Sequence, residues 1–334
     1  MQITLETLKQ FAENTVEKMT RGNFEIIGAY LRGSLCLLES PLLGGSTDID
    51  LVFIHSGDPK NPREILRLTN DIHLDIEHHP QRDYLKGREL RVHPTMGPSL
   101  FNAQVLFDPQ HFIDFTIATV RGMFHREDHI IQRARPQIES ARSRWIEFQN
   151  EPVWNHAQSV LEFLGIVEQA AQAVTSLVGE PLSERRFLPA YADRVERLDK
   201  GGMYAGLVGL LGGARVDRRQ LQGWVNAWDQ VMKDVSSSQC PPQIHPHRRA
   251  YYLNAFDALL NSNQPKDVLW PLLTTWTLAA ATLPDKAPET QPWLDACEQL
   301  GIIGDDMDER IAALDMYLEQ VEQTVEIWAM EHGA

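Results

Sequence analysis

The sequence predicts an α+β protein: a mixed β-sheet with helices at the N-terminus, followed by an all-α C-terminal domain. Three observations carry this. Strand-like runs rich in β-branched and aromatic residues occur at 24–31, 48–54 and 72–77, each bounded by turn residues. After Pro152 no such run appears, and apolar residues recur only at helical spacing. The chain has 334 residues, enough for two domains with separate cores. The expected division is 1–115 and 116–334, with a linking helix over about 110–149.

Leu5, Leu8, Phe11, Ala12, Val16 and Met19 recur at helical spacing, so residues 3–20 form an amphipathic helix that Gly22 and Asn23 stop. Phe24 to Leu31 is the first strand, with Gly33-Ser34 as the turn after it. Glycine there lets backbone approach a ligand, and Ser34 adds a hydroxyl suited to phosphate. A short helix is expected over Leu35 to Glu39, then a loop through Pro41 and Gly44-Gly45. The second strand begins at Asp48. Asn61 to Thr69, opening on Pro62, reads as a helix. The third strand follows, with Leu74 and Ile76 on one face and His73, Asp75, Glu77 and His79 on the other.

Gln104 to Phe107 reads as a short strand stopped by Asp108-Pro109, and Gln110 to Gln149 as helix broken near Pro136. Beyond Pro152 the expected helices are Trp154–Val178, Phe187–Leu198, Met203–Leu211, Arg219–Val235, Pro246–Leu260, Asp267–Ala281, Trp293–Leu300 and Asp308–Met330. Gly206, Gly209, Gly212 and Gly213 lack the Lys-Ser/Thr of a phosphate loop, and close helix packing is the expected reason for them.

Composition narrows the function. The net charge is −15, with 17 basic against 20 acidic residues in 1–150 and 14 against 26 in 151–334. Such a surface repels phosphate backbones, which argues against a long nucleic-acid partner and suits a cationic small molecule. Solvated acidic helices give the same composition. No run of eighteen apolar residues exists, so no membrane span is expected; Trp270 to Pro284 reads as a buried helix. The N-terminus has no apolar signal core, and three scattered cysteines (Cys36, Cys240, Cys297) fit a reducing cytoplasm.

The chemistry concentrates at Asp48-Ile49-Asp50. On a strand the two carboxylates share a face, ~6.6 Å apart. At an effective dielectric near 20 they repel by roughly 2.5 kcal/mol, a cost that a bound divalent cation removes. An Asp-x-Asp pair alone is weak: Asp306-Met307-Asp308 is another, in a polar turn. The context distinguishes the first, with Gly33-Ser34 upstream and Asp75 on the next strand. His73, Asp75, Glu77 and His79 could instead form a transition-metal face. The better reading makes Asp75 the working member beside Asp48 and Asp50. His125 and His129 have metal-ligand spacing, but their charged neighbours favour a solvated face.

Leu31-Arg32-Gly33-Ser34, thirteen residues, then Asp48-Ile49-Asp50-Leu51 resembles the nucleotidyltransferase superfamily that includes DNA polymerase beta and the antibiotic nucleotidyltransferases. The approach Gly45-Ser46-Thr47-Asp48, the third carboxylate Asp75 and the run ending Leu106-Phe107-Asp108-Pro109 are similar as well. The resemblance covers about residues 24–110. It implies a nucleotidyltransferase-fold catalytic domain whose helical partner resembles those of small-molecule members.

By that resemblance Asp48, Asp50 and Asp75 hold two Mg²⁺ ions, and Gly33 and Ser34 bind the triphosphate of a nucleotide, expected to be ATP. The reaction implied is transfer of a nucleoside monophosphate to a hydroxyl of a small-molecule acceptor, with release of pyrophosphate; the acidic charge of the helical half suits a cationic acceptor such as an aminoglycoside. Asp75 and Glu77 are both candidates for the base. Arg185, Arg186, Lys200, Arg248 and Arg249 are candidates to meet the triphosphate, although ordinary surface charge is the commoner role for such residues. Transfer to a protein or RNA, and a non-catalytic nucleotide-binding module, stay open. The acceptor, the nucleobase and the oligomeric state are not encoded in the motif.

Overall fold

The computed structural model describes residues 3–37, 41–150, 156–236, 240–284 and 287–334. The chain folds into two compact units, Met1–His129 and Ile130–Ala334.

The first unit opens with helix α1 (Leu5–Thr20), whose Thr4 hydroxyl accepts the Thr7 N–H at 3.2 Å as an N-cap. Then come β1 (Ile26–Arg32), α2 (Ser34–Leu37), β2 (Thr47–His55), β3 (Arg63–Arg67) and β4 (Ile72–Pro80). Helices α3 (Gly87–Val92) and α4 (Met96–Phe101), strand β5 (Gln104–Phe107) and helix α5 (Phe112–Arg121) follow. Helix α6 (Glu127–Asn150) contains the point of division between the units. The α2 expectation extended to Glu39, and its last two residues lie outside those described.

The strands form one sheet in the order β3-β4-β2-β1-β5. It is mixed: β2 and β4 are parallel, and every other pairing is antiparallel. Side chains alternate across each strand, so the sheet has two distinct faces. Leu8, Ala12 and Val16 of α1 pack against Ala29, Leu31, Ile49, Leu51, Phe53, Leu74 and Ile76 on one face. On the other, Tyr30, Val52 and Ile54 pack with Leu90 of α3, Leu100 of α4 and Ile113, Ile117 and Val120 of α5. Along β2 this second face changes character: Asp48 and Asp50 precede Val52 and Ile54.

Two expectations are corrected. Asn61–Thr69 is not helical: it contains strand β3, hydrogen-bonded to the edge of β4. Arg63, Ile65 and Arg67 alternate with Glu64 and Leu66, and five residues are too few for periodicity to separate strand from helix. Pairing with the nine-residue β4 decides it. The break expected near Pro136 lies instead at 122–126, where Met123 adopts φ 63°; α6 runs through Pro136.

In the second unit the helices are α7 (His156–Thr175), α8 (Phe187–Arg197), α9 (Gly202–Leu210), α10 (Arg218–Asp234), α11 (Arg249–Leu260), α12 (Leu269–Thr282), α13 (Gln291–Leu300) and α14 (Met307–His332). No strand occurs among its described residues. Helix α12 is apolar around most of its circumference and lies at the centre of the core, as such a helix must. Its Trp270 stacks on Phe187 at 3.7 Å, and Thr275 accepts the Trp228 indole N–H at 2.9 Å. Gly212 and Gly213 meet Leu300 and Val208 closely, but Gly209 faces open space, so packing does not account for it. No helix among the described residues is long and apolar enough to cross a membrane.

Candidate metal centre

Three carboxylates meet at the polar end of the second sheet face. Asp48 and Asp50 both project from β2 because they are two residues apart, while Ile49 turns into the α1 core. The parallel pairing places Asp50 opposite Asp75 and Asp48 opposite His73. One ligand oxygen from each of Asp48, Asp50 and Asp75 lies within 4.8 Å of the other two. Among the described residues this is the sole group of three potential ligands so close together. His125 and His129 belong to no such group: the His129 ring contacts the Met123 carbonyl at 2.8 Å, and His125 packs edge-on to Phe101 and Phe124.

The turn after β1 closes on this cluster. Gly33 has φ 73°, in the left-handed region that favours glycine, and the Asp50 carboxylate fills the space a Cβ at position 33 would need. The next residue, Ser34, keeps its hydroxyl oxygen buried without a hydrogen-bond partner among the described residues. A buried orphaned hydroxyl costs stability, so its presence next to the glycine that meets Asp50 fits a group still to be bound.

Two guanidiniums that the motif does not single out complete the cluster. Arg63 of β3 grips Asp75 with both arms of its fork, Nε to Oδ1 at 2.7 Å and Nη2 to Oδ2 at 2.6 Å. Its third nitrogen lies 3.5 Å from Glu77. Arg32, at the end of β1 and opposite Asp50, holds the same Glu77 at 2.6 Å. Glu77 also meets His79 at 3.2 Å. Burial alone would raise the Glu77 pKa, but the His79 hydrogen bond and the two arginines outweigh it and bring it to about 2. Burial disfavours charge on Arg32 too, yet Glu77 and Asp50 hold it firmly protonated. Both arginines lie where the sequence carries a weak signal: Arg32 sits inside the Gly-Ser motif, and Arg63 on a strand whose pattern resembles a helix.

From Glu77 the polar chain continues inward. His79 Nδ1 lies 2.6 Å from the Tyr84 hydroxyl, which lies 3.0 Å from that of Tyr30. Tyr84 also lines a groove of ≈ 680 Å³ with Leu85, Phe112 and Phe115; none of the three aspartates lines it.

No family model matches this chain, and no curated protein matches it. Hard carboxylate oxygens on a rigid sheet, with no cysteine in the cluster, suit Mg²⁺ or Mn²⁺ over softer-ligand metals. Of the basic residues expected to meet a triphosphate, Arg185 and Arg248 are buried against the Tyr251 ring at 3.3 and 5.7 Å, and Arg249 pairs with Asp229 at 2.6 Å. These three are engaged within the helical unit. Arg186 and Lys200 belong to that unit as well.

Proposed function

We propose that this chain is a Mg²⁺-dependent nucleotidyltransferase of the DNA polymerase beta-like superfamily, moving a nucleoside monophosphate from ATP to a hydroxyl of a small-molecule acceptor. The observation that carries the reading is the contact between Gly33 and Asp50, which brings the Gly-Ser turn against three convergent carboxylates. Asp48, Asp50 and Asp75 would hold the metal, which when bound neutralises the triphosphate and polarises the phosphorus under attack. The Gly33 backbone N–H and the Ser34 hydroxyl would supply donors to the phosphates. Asp75 and Glu77 are both candidates to take the acceptor's proton: Asp75 belongs to the metal cluster and is held by the Arg63 fork. Glu77 is engaged by Arg32, Arg63 and His79 and holds those groups in place. The acidic excess of 151–334 favours a cationic acceptor.

The test is Mg²⁺-dependent pyrophosphate release from ATP with cationic and neutral hydroxyl compounds as acceptors. Wild-type protein is expected to release pyrophosphate with a cationic acceptor, and Asp50→Asn to lose the activity while remaining folded. Undiminished turnover in a folded Asp50→Asn protein would remove the metal assignment. Turnover only with neutral acceptors would remove the charge argument and leave the chemistry standing.

A further inference from the structure

Arg63 is placed as no ordinary surface arginine is. It reaches from the edge strand β3 to β4 and takes both oxygens of Asp75, a side chain only 2 % exposed, while remaining 29 % exposed itself. Four formal negative charges (Asp48, Asp50, Asp75, Glu77) surround the site, and two guanidiniums, Arg32 and Arg63, compensate them. Removing Arg63 would take one positive charge away from Asp75, which lies opposite Asp50.

We propose that Arg63 is a positioning residue acting as a resident cation: it holds Asp75 in the metal-free protein and competes with a divalent ion for that carboxylate. The proposal rests on the metal reading given above. A carboxylate has about four lone-pair sites, and a bidentate arginine uses the two best aligned. An ion approaching Asp75 must displace part of that fork and enter a field already weakened by the guanidinium. The apo site thereby stays ordered at the cost of metal affinity. The phosphates of a nucleotide would restore the missing negative charge, so ion binding at Asp75 becomes coupled to nucleotide binding. Glu77 is the pivot, since it holds Arg63 at 3.5 Å through a nitrogen that the Asp75 fork does not use, and prevents the guanidinium from leaving the cluster altogether.

The experiment is Mn²⁺ titration of the full chain without nucleotide, read from the electron paramagnetic resonance signal of free Mn²⁺. Wild type, Asp50→Asn, Arg63→Gln and Arg63→Lys are compared. Wild type should bind, and Asp50→Asn should not. Arg63→Gln should bind about tenfold more tightly, as loss of one nearby positive charge predicts. Arg63→Lys, which keeps the charge but loses the fork, should fall between wild type and Arg63→Gln. A merely structural role would weaken binding in both Arg63 variants, and equal or weaker binding in folded Arg63→Gln overturns the proposal. Absence of wild-type binding that Asp50→Asn removes would overturn the metal reading itself, and the proposal with it. Should Arg63→Gln fail to fold, the Arg63 Nε–H resonance of wild type decides: it should shift on Mg²⁺ addition, and an unmoved signal overturns the proposal.

Discussion

Gly33 and Asp50 occupy adjoining space so completely that a methyl group on the glycine would overlap the carboxylate. Two requirements coincide there, a left-handed backbone at φ 73° and the close approach of a side chain from the neighbouring strand. Gly33→Ala should therefore cost about 1–2 kcal/mol from the backbone alone, and more from the displaced carboxylate. Chemical denaturation should show the stability loss and Mn²⁺ titration a loss of metal affinity. Wild-type affinity in this variant would mean that Asp50 tolerates displacement and that the contact is incidental.

Ser34→Ala separates a structural hydroxyl from a binding one. Its Oγ is buried without a partner among the described residues, so its removal leaves no orphan behind and the apo protein should be as stable as wild type or more so. Nucleotide affinity should nevertheless fall ten- to hundredfold, the worth of a hydrogen bond to a charged group at about 1.5–3 kcal/mol. Calorimetry on both proteins reads the second effect and thermal melting the first. Lost stability with unchanged nucleotide affinity would assign the serine to the turn alone.

Glu77 gives the stability of the protein an acid limb. Its folded pKa of about 2 lies below the ordinary 4.5, so its stabilising contribution is fully present above pH 4.5 and is lost as pH falls through about 2. The shift corresponds to on the order of 3 kcal/mol. Glu77→Gln should be less stable than wild type at pH 6, and the gap should close toward pH 2. Urea denaturation across that window measures it, and parallel curves for the two proteins would contradict the assignment.

The aspartates were legible in the sequence because alternation along a strand needs only two residues to put Asp48 and Asp50 on one face. Asp75 could be placed there too, since the polar and apolar residues of 72–77 alternate without a break. The helices after Pro152 were legible for the same kind of reason: their apolar repeats are long. What escaped was short or non-local. Strand β3 spans five residues behind a proline, and its identity comes from β4. The stretch from Gln81 to Phe101 builds a 3₁₀ turn and two six-residue helices, too brief for periodicity to register. Arg63 reaches Asp75 and Tyr84 reaches Tyr30 through space, and neither contact leaves a spacing in the chain.

The register between β2 and β4 has a consequence for how this chain tolerates change. Asp50 lies opposite Asp75 through a parallel ladder whose side chains have a period of two. One residue inserted between Ile72 and Asp75 would turn Asp75 toward the α1 core and bring a neighbouring apolar side chain up among the carboxylates. One residue inserted between Ser56 and Asn61, where no strand runs, would alter none of this. The site is thus written in parity as much as in residue identity: lengthening the chain by one can be silent in a loop and yet erase the centre a few residues further on, with every aspartate still in place.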